Sequence, residues 1–253
     1  MRDAYTTRTV QDIPEYLRVI EEVEKSWSDR KRGTVRLWHR GQSSAAWGLQ
    51  PGVYRPGVVI NSDQIRSEFQ LRALPLLRHV PNNNWEWYFL MQHYGLPTRL
   101  LDWTTGSLLG LYFAVRSQVG VADAAVWVLD PWELNKKTVG KAELLFVSDR
   151  LAAKYLSKIY AKQVKLPKLP AVIIPPHSSE RITVQRGAFT VHGDSRDGIE
   201  QISGIRLMKI VIPKLNAVAI KRSLRTAGIG EFTVFPELVG LCDEIRAAEI
   251  EGC

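Results

Sequence analysis

Residues 92–105 read QHYGLPTRLLDWTT and carry the strongest structural signals in the chain. The pattern predicts a helix that ends near Gly95, a tight turn, a short buried strand that ends at Asp102, and a second helix capped by Thr104 or Thr105. This stretch carries more polar side chains than packing alone requires. Because binding groups concentrate in loops beside rigid elements, the stretch marks a candidate site.

Two further polar segments accompany short apolar strands. The segment HRGQ, residues 39–42, follows a strand predicted over residues 34–40, and Gly41 is expected to stop that strand so that Arg40 lies at its end. The segment RITVQRGAF, residues 181–189, is typical of a hairpin whose corner holds Gly187. We expect the three polar segments to converge on one cleft.

The rest of the chain alternates helices with short strands. Helices are predicted over residues 12–27, 62–78, 84–93, 107–115 and 213–227, in the basic segment after Asp130 as one long helix, and from residue 237 onwards. Strands are predicted over residues 124–129, 171–174, 181–184, 188–192 and 207–212. Residues 1–253 are therefore expected to form a single α+β domain, with short, mostly antiparallel strands in a split sheet or two packed sheets flanked by helices.

Length and composition indicate a globular protein. The chain has 253 residues, of which 45% are hydrophobic and 24% are charged. Its longest apolar runs, such as residues 108–115, are much shorter than the roughly 20 residues that span a bilayer, and residues 1–3 lead into no apolar signal region. We therefore expect a soluble, cytoplasmic protein with no membrane partner, whose Cys242 and Cys253 remain reduced thiols.

The positive charge is concentrated in one segment. The net charge is +8, and residues 135–170 hold nine Lys or Arg against two acids. Within this segment Lys154, Lys158 and Lys162 recur every four residues, which places them side by side on a helix. They form either a solvated helix face or an electrostatic site for nucleic acid or an acidic partner, and some of the eight tryptophans offer rings for base stacking.

Each candidate site residue also has a structural interpretation. Arg40 either contacts phosphate or ribose oxygens or forms a structural salt bridge. His93 shares a helix face with aromatic residues and either packs in the core or borders the site, where the negative end of its helix would raise its proton affinity. Asp102 either takes part in binding, pairs with Arg99 or caps the next helix.

Two glutamates outside the three polar segments are further candidates for a negative charge at the site. Glu180 and Glu231 can stabilise a cationic sugar intermediate, or each can be a surface charge. The sequence contains no His-Glu-x-x-His, no paired cysteine motif, no P-loop and no Gly-x-Ser-x-Gly elbow, so a zinc hydrolase, a nucleoside triphosphatase and an α/β-hydrolase have no support. No metal is expected.

Several of these segments together resemble the bacterial FRG-domain family. The resemblance covers about residues 30–245, with the N-terminal helix at about 12–27 outside this core. The segments that carry it are WHRGQ at 38–42, QHYGLPTRLLDWT at 92–104, Arg181-Ile182 with Gln185 and GAFT at 187–190, and Gly228-Ile229 with Glu231, Phe235-Pro236 and Leu238. Members occur largely in bacteria and mobile elements, and the family name implies little chemistry.

A weaker resemblance is to the ADP-ribosyltransferase superfamily. The order of Arg40-Gly41, then LDWT at 101–104 before the apolar helix, then a strand beginning at Glu180, is similar to its three elements carrying Arg or His, Ser-Thr-Ser, and Glu, although the second and third elements differ here. The resemblance implies an ADP-ribosyltransferase-like fold and NAD as the substrate. It implies that NAD is held by Arg40, Gly41, Gln42, Arg99, Thr104 and Thr105.

The same resemblance assigns catalytic roles. Glu180, Gln185 or Glu231 would fill the third position and face the reacting ribose, while Asp102 or a glutamate would stabilise positive charge and His93 would position the acceptor. The implied function is an NAD-consuming ADP-ribosyltransferase or NAD glycohydrolase that acts as an intracellular toxin or antiphage effector, with a nucleic-acid or protein acceptor and an antitoxin or defence-system partner. Two alternatives stay open: a non-enzymatic nucleic-acid or protein-binding module, and a metal-independent nuclease using His93 and Asp102.

Overall fold

The computed structural model describes residues 5–28, 36–58, 62–117, 120–156, 165–175 and 183–251. Its strands are β1 (Thr6–Thr9), β2 (Trp38–Gln42), β3 (Leu100–Thr104), β4 (Ala124–Leu129), β5 (Leu145–Phe146), β6 (Ala171–Ile174), β7 (Gly187–Val191) and β8 (Leu207–Ile212). They form one sheet in the order β1-β8-β4-β2-β3-β7-β6-β5. The β1–β8 and β5–β6 pairs are parallel, and the other pairs are antiparallel.

Helices flank this sheet, so the predicted α+β class is confirmed. The described helices are α1 (Ile13–Trp27), α2 (Ser62–Ala73), α3 (Asn84–His93), α4 (Ser107–Val115), α5 (Pro131–Thr138), α6 (Arg150–Ala153), α7 (Lys214–Thr226), α8 (Glu231–Val234) and α9 (Leu238–Glu251). Short 3₁₀ turns lie at Gly52–Tyr54, Leu74–Leu76 and Ile199–Gln201. The side chain of Asp12 caps α1 as predicted, by accepting a hydrogen bond from the backbone N–H of Glu15 at 2.8 Å.

The sheet is nearly divided at its centre. Strand β2 pairs with β4 along five residues, and β3 pairs with β7 along five. Between β2 and β3, however, the register contains the single pair His39 and Thr104. Two four-stranded halves therefore meet at one point, and β2 and β3 separate beyond it. This opening positions the site described below.

Three apolar clusters fill the space around the sheet. One packs α1, α4 and α7 against β4 and β8, and a second gathers Trp38, Trp103 and Trp127 around the sheet centre. The third packs α3 against the half that contains β3, β6 and β7. Strand β4 is buried along its whole length, which matches its continuous apolar sequence.

The prediction that Gly41 stops the first strand is wrong. Strand β2 continues through Gly41 to Gln42, so Arg40 lies inside the strand. The glycine serves a close approach of two backbones, because a Cβ there would lie 2.2 Å from the carbonyl oxygen of Gly110 in α4. The glycine therefore lets α4 pack directly on the strand that carries Arg40.

Other predicted boundaries also change. Strand β3 does not end at Asp102 but continues to Thr104, because β7 pairs with all five of its residues. The prediction of one long helix in the basic segment is also wrong. Helix α5 ends before Gly140, whose φ of +77° is unfavourable for residues other than glycine, and α6 has four residues. Helix α2 ends at Ala73, ahead of the 3₁₀ turn that contains Pro75. Residues 183–184 are helical instead of extended, and residues 181–182 lie outside the described part.

Candidate functional site

Arg40 spans the opening between β2 and β3. Its Nη1 donates a hydrogen bond to the carbonyl oxygen of Asp102 at 2.7 Å and lies 3.7 Å from the carboxylate Oδ2 of the same residue. Only 13% of the Arg40 side chain is exposed, and its Nε finds no hydrogen-bond partner among the described residues. Burial lowers the pKa of Arg40 to about 10, while Asp102 opposes this change and Arg55 adds to it. The guanidinium remains charged at neutral pH.

The carboxylate of Asp102 belongs to a chain of hydrogen bonds. Its Oδ2 accepts a hydrogen bond from Nε2 of Gln92 at 2.7 Å, and Oε1 of Gln92 accepts one from the hydroxyl of Thr98 at 2.5 Å. The hydroxyl oxygen of Thr98 in turn accepts from the backbone N–H of Leu100 at 3.0 Å. The Asp102 side chain is 55% exposed, so this carboxylate is held by the protein and open to solvent.

A groove of about 530 Å³ lies beside this carboxylate. Its polar lining residues include Gln92, His93, Asp102 and Gln185, together with His79, Asn82 and Glu86, and Phe89 and Phe189 are among its apolar ones. Three residues predicted from the sequence to be catalytic, His93, Asp102 and Gln185, therefore line one groove. Arg40 is not among the lining residues of this groove, but it contacts Asp102, which is.

The other contacts of His93 and Gln185 tie the groove to the C-terminal part of the chain. Nε2 of His93 lies 3.5 Å from Oε1 of Glu237, next to α9. Nε2 of Gln185 donates to the carbonyl oxygen of Val234 in α8 at 3.1 Å. Two residues of the groove are therefore in contact with a part of the chain that is distant in the sequence.

Two residues predicted to bind NAD are buried with internal partners. Gln42 donates to the carbonyl oxygen of Gly48 at 3.0 Å and accepts from the indole of Trp127 at 2.8 Å. Arg99 donates to the carbonyl oxygens of His192, at 2.8 Å, and of Tyr155. The structure places both side chains in packing contacts instead of in the groove.

The threonines after Asp102 connect β3 to the neighbouring loop. Thr104 is buried, donates to the carbonyl oxygen of Gln185 at 2.7 Å and accepts from the N–H of Gly106 at 3.0 Å. Thr105 is exposed, and its N–H donates to the carbonyl oxygen of Arg186 at 3.1 Å. Thr104 was expected either to cap α4 or to bind NAD, but Gly106 holds the cap position.

Glu231 lies in a second groove of about 550 Å³, between α7, α8 and α9. Arg116 contacts both of its carboxylate oxygens, at 2.6 to 3.0 Å. Burial, followed by the carboxylates of Asp243 and Glu244, raises the pKa of Glu231, and the Arg116 guanidinium opposes that rise. The structure therefore does not bring Glu231 together with Asp102.

The remaining predicted site residues are Glu180 and the three lysines of the basic segment. Glu180, Lys158 and Lys162 lie outside the described residues. Lys154 is exposed and follows the last residue of α6. The regular helical spacing of the three lysines therefore has no counterpart in the part of the basic segment that the structure describes.

The sequence-based predictions did not include two buried histidines near the site. His192 follows β7, is 1% exposed, and neither ring nitrogen has a hydrogen-bond partner within the described ranges. Burial is the main reason why the pKa of His192 falls to about 3, and Arg40 and Arg99 lower it further. His39, on β2, has its pKa lowered to about 3 by burial. An apolar strand sequence beside each histidine is the signal that marks them as buried.

Two further findings concern metal binding and membrane-spanning helices. In the described parts of the chain no three His, Cys, Asp or Glu side chains are grouped to hold a metal ion. None of the described helices combines the length and the apolar character needed to cross a membrane.

Five of the eight tryptophans are buried, so their rings are not available for base stacking; Trp47, by contrast, is 47% exposed. Cys242 is an exposed free thiol.

Comparison with known proteins gives one family match. The model of the FRG domain family matches residues 35–121, which include β2, α3, β3 and α4. This match supports the FRG family for the segment that carries Arg40, Gln92 and Asp102. No significant match to a curated protein or to a solved structure was found.

Proposed function

We propose that this chain consumes NAD, as an ADP-ribosyltransferase or an NAD glycohydrolase, in the groove beside Asp102. The observation that supports this most strongly is the position of Asp102: it lies on β3 at the opening of the sheet, within contact of the Arg40 guanidinium. His93 and Gln185 line the same groove. An arginine and a carboxylate at a sheet opening suit a substrate that carries both phosphates and a cationic sugar centre.

The chemistry requires an anionic group beside the reacting ribose. When the bond between the ribose carbon and the nicotinamide nitrogen breaks, its electron pair leaves with nicotinamide, and positive charge develops on the ribose. The exposed carboxylate of Asp102 stabilises that charge. Water or an acceptor then attacks the ribose carbon and loses a proton, which gives ADP-ribose or an ADP-ribosylated product.

Arg40 and Gln185 complete the proposed site. Arg40 remains charged despite its burial, and its guanidinium beside Asp102 places a positive charge that favours the NAD diphosphate at this end of the groove. Gln185 shares the groove with Asp102, whereas Glu231 is held by Arg116 in the second groove. This arrangement favours Gln185 over Glu231 at the third position of the proposed triad, and His93 is placed to contact the acceptor.

Nicotinamide release tests the proposal directly. Wild-type protein incubated with NAD, with and without protein or RNA acceptors, is expected to release nicotinamide, and Asp102→Asn should lower the rate about 10²- to 10³-fold. Arg40→Gln should raise KM for NAD. Asp243→Asn, which removes a carboxylate of the second groove, is the matched control and should keep the wild-type rate. An Asp102→Asn rate equal to that of wild type would reject the assignment of Asp102.

The proposed chemistry suits a toxin or antiphage effector, because a cell that loses its NAD stops growing. Expression of the wild-type chain in bacteria should deplete NAD and arrest growth, and Asp102→Asn should do neither. An antitoxin or defence partner would then be a protein that covers the groove. Growth arrest with unchanged NAD would argue for another target.

A further inference from the structure

We propose that Gln92 and Thr98 are positioning residues that fix the direction of the Asp102 carboxylate in the groove. This inference rests on the proposed function and concerns the same site. Thr98 does not line the groove, and Gln92 lines it but acts in this inference through its hydrogen bond to Asp102. Hydrogen bonds connect Leu100, Thr98, Gln92 and Asp102 in this order.

The backbone of β3 determines the direction of the Thr98 hydroxyl. The oxygen of this hydroxyl accepts the N–H of Leu100 at 3.0 Å, and Leu100 is the first residue of the strand. A hydroxyl has one proton, so Thr98 uses it to donate to Oε1 of Gln92 at 2.5 Å. Thr98 is buried, which keeps water from competing for this proton.

The direction of the Gln92 amide follows from that of Thr98. Because Oε1 faces the hydroxyl, Nε2 is the atom that faces Oδ2 of Asp102, at 2.7 Å. The reversed amide would place a carbonyl oxygen against a carboxylate oxygen, and it would leave the proton of the buried Thr98 hydroxyl without its acceptor. The amide therefore has one favourable orientation.

The result is a carboxylate with one oxygen held and one oxygen open. Oδ2 receives the Gln92 amide and lies 3.7 Å from Arg40, whereas Oδ1 has no partner among the described residues. The turn at Gly95, with a φ of +79°, brings the end of α3 and the start of β3 together so that Gln92 and Thr98 meet. Oδ1 is then directed at the substrate, and a small rotation of the carboxylate costs rate more than affinity.

The decisive comparison is Thr98→Val with Thr98→Ser. Valine has the shape of threonine without the hydroxyl, and serine keeps the hydroxyl. We expect Thr98→Val and Gln92→Met to lower kcat for nicotinamide release about 10- to 100-fold, with KM for NAD changed by less than about threefold. Thr98→Ser should restore kcat to within about threefold of wild type. Thr226→Val removes an exposed hydroxyl that donates to a helix carbonyl and serves as the control.

A second readout needs no activity. In the folded protein the side-chain NH₂ of Gln92 should give two well-separated, slowly exchanging NMR signals in wild type and Thr98→Ser, and averaged, fast-exchanging signals in Thr98→Val. Equal kcat, or equal Gln92 signals, in folded Thr98→Val and Thr98→Ser would overturn the inference. If wild type releases no nicotinamide, the proposed function fails, and the NMR comparison still decides whether Thr98 fixes Gln92 against Asp102.

Discussion

The two buried histidines predict a specific loss of stability on mild acidification. His39 and His192 are buried, and burial, joined at His192 by Arg40 and Arg99, lowers the pKa of both to about 3. In the unfolded chain a histidine has a pKa of about 6.5. Between these values the unfolded chain binds a proton at each position that the folded chain does not bind, so the free energy of unfolding falls as the pH falls.

The size of this effect follows from the two pKa values. Between pH 7.5 and pH 5.5 each histidine lowers the free energy of unfolding by about 1.4 kcal/mol, and the pair lowers it by about 2.7 kcal/mol. This stability is complete above about pH 7.5 and is lost progressively as the pH falls towards 3. Glu231, whose pKa is raised to about 7 chiefly by burial, takes up a proton in the same window and opposes this loss, so the contribution of one histidine is read from the difference between wild type and a histidine variant.

Urea unfolding followed by tryptophan fluorescence at pH 7.5 and pH 5.5 measures the difference. Replacement of His192 by Leu should make the loss between these two pH values smaller by about 1.4 kcal/mol, whatever the variant does to absolute stability. Replacement of the exposed His79 by Gln should leave the wild-type loss unchanged. An unchanged loss in His192→Leu would refute the conclusion that His192 is buried and neutral.

Three substitutions test the fold itself by denaturant unfolding. Gly41→Ala should lower the free energy of unfolding by about 3 kcal/mol or more, because the new Cβ meets the α4 backbone. The control Gly52→Ala, whose Cβ would have ordinary contacts, should change it by less than about 1 kcal/mol. Similar values for the two variants would contradict the packing of α4 on β2. Asn135→Ala should cost about 2–4 kcal/mol because it leaves the backbone N–H of Val172 without its buried acceptor, and a neutral result would contradict this. Asp12→Ala should cost about 1 kcal/mol through loss of the cap; no change would show that the cap is unimportant.

Periodicity and capping signals in the sequence were sufficient for most of the fold. Helices α1, α3 and α4 and strands β4, β6 and β8 lie within about a residue of their predicted bounds, because each is set by local apolar spacing and by residues such as Asp12 and Gly95. Gly41 was misinterpreted because its role depends on α4, about 70 residues away. A contact between backbones leaves no periodic mark in the sequence.

The candidate site was predictable only in part. The polar density of residues 92–105 marked Asp102 and His93, which line the groove. The same density includes Arg99, whose guanidinium is buried against backbone carbonyls, so polar type alone does not separate a site residue from a buried anchor. Gln92 and Thr98 are in the same stretch, but their importance depends on hydrogen-bond directions that require coordinates.

The most direct test of the central proposal is a crystal structure of the chain with a non-hydrolysable NAD analogue. We expect the analogue to occupy the groove lined by His93, Asp102 and Gln185, with its diphosphate or a ribose oxygen on the Arg40 side and the nicotinamide-bearing ribose against Oδ1 of Asp102. An analogue bound in the groove of Arg116 and Glu231, or no binding at millimolar concentration, would contradict it.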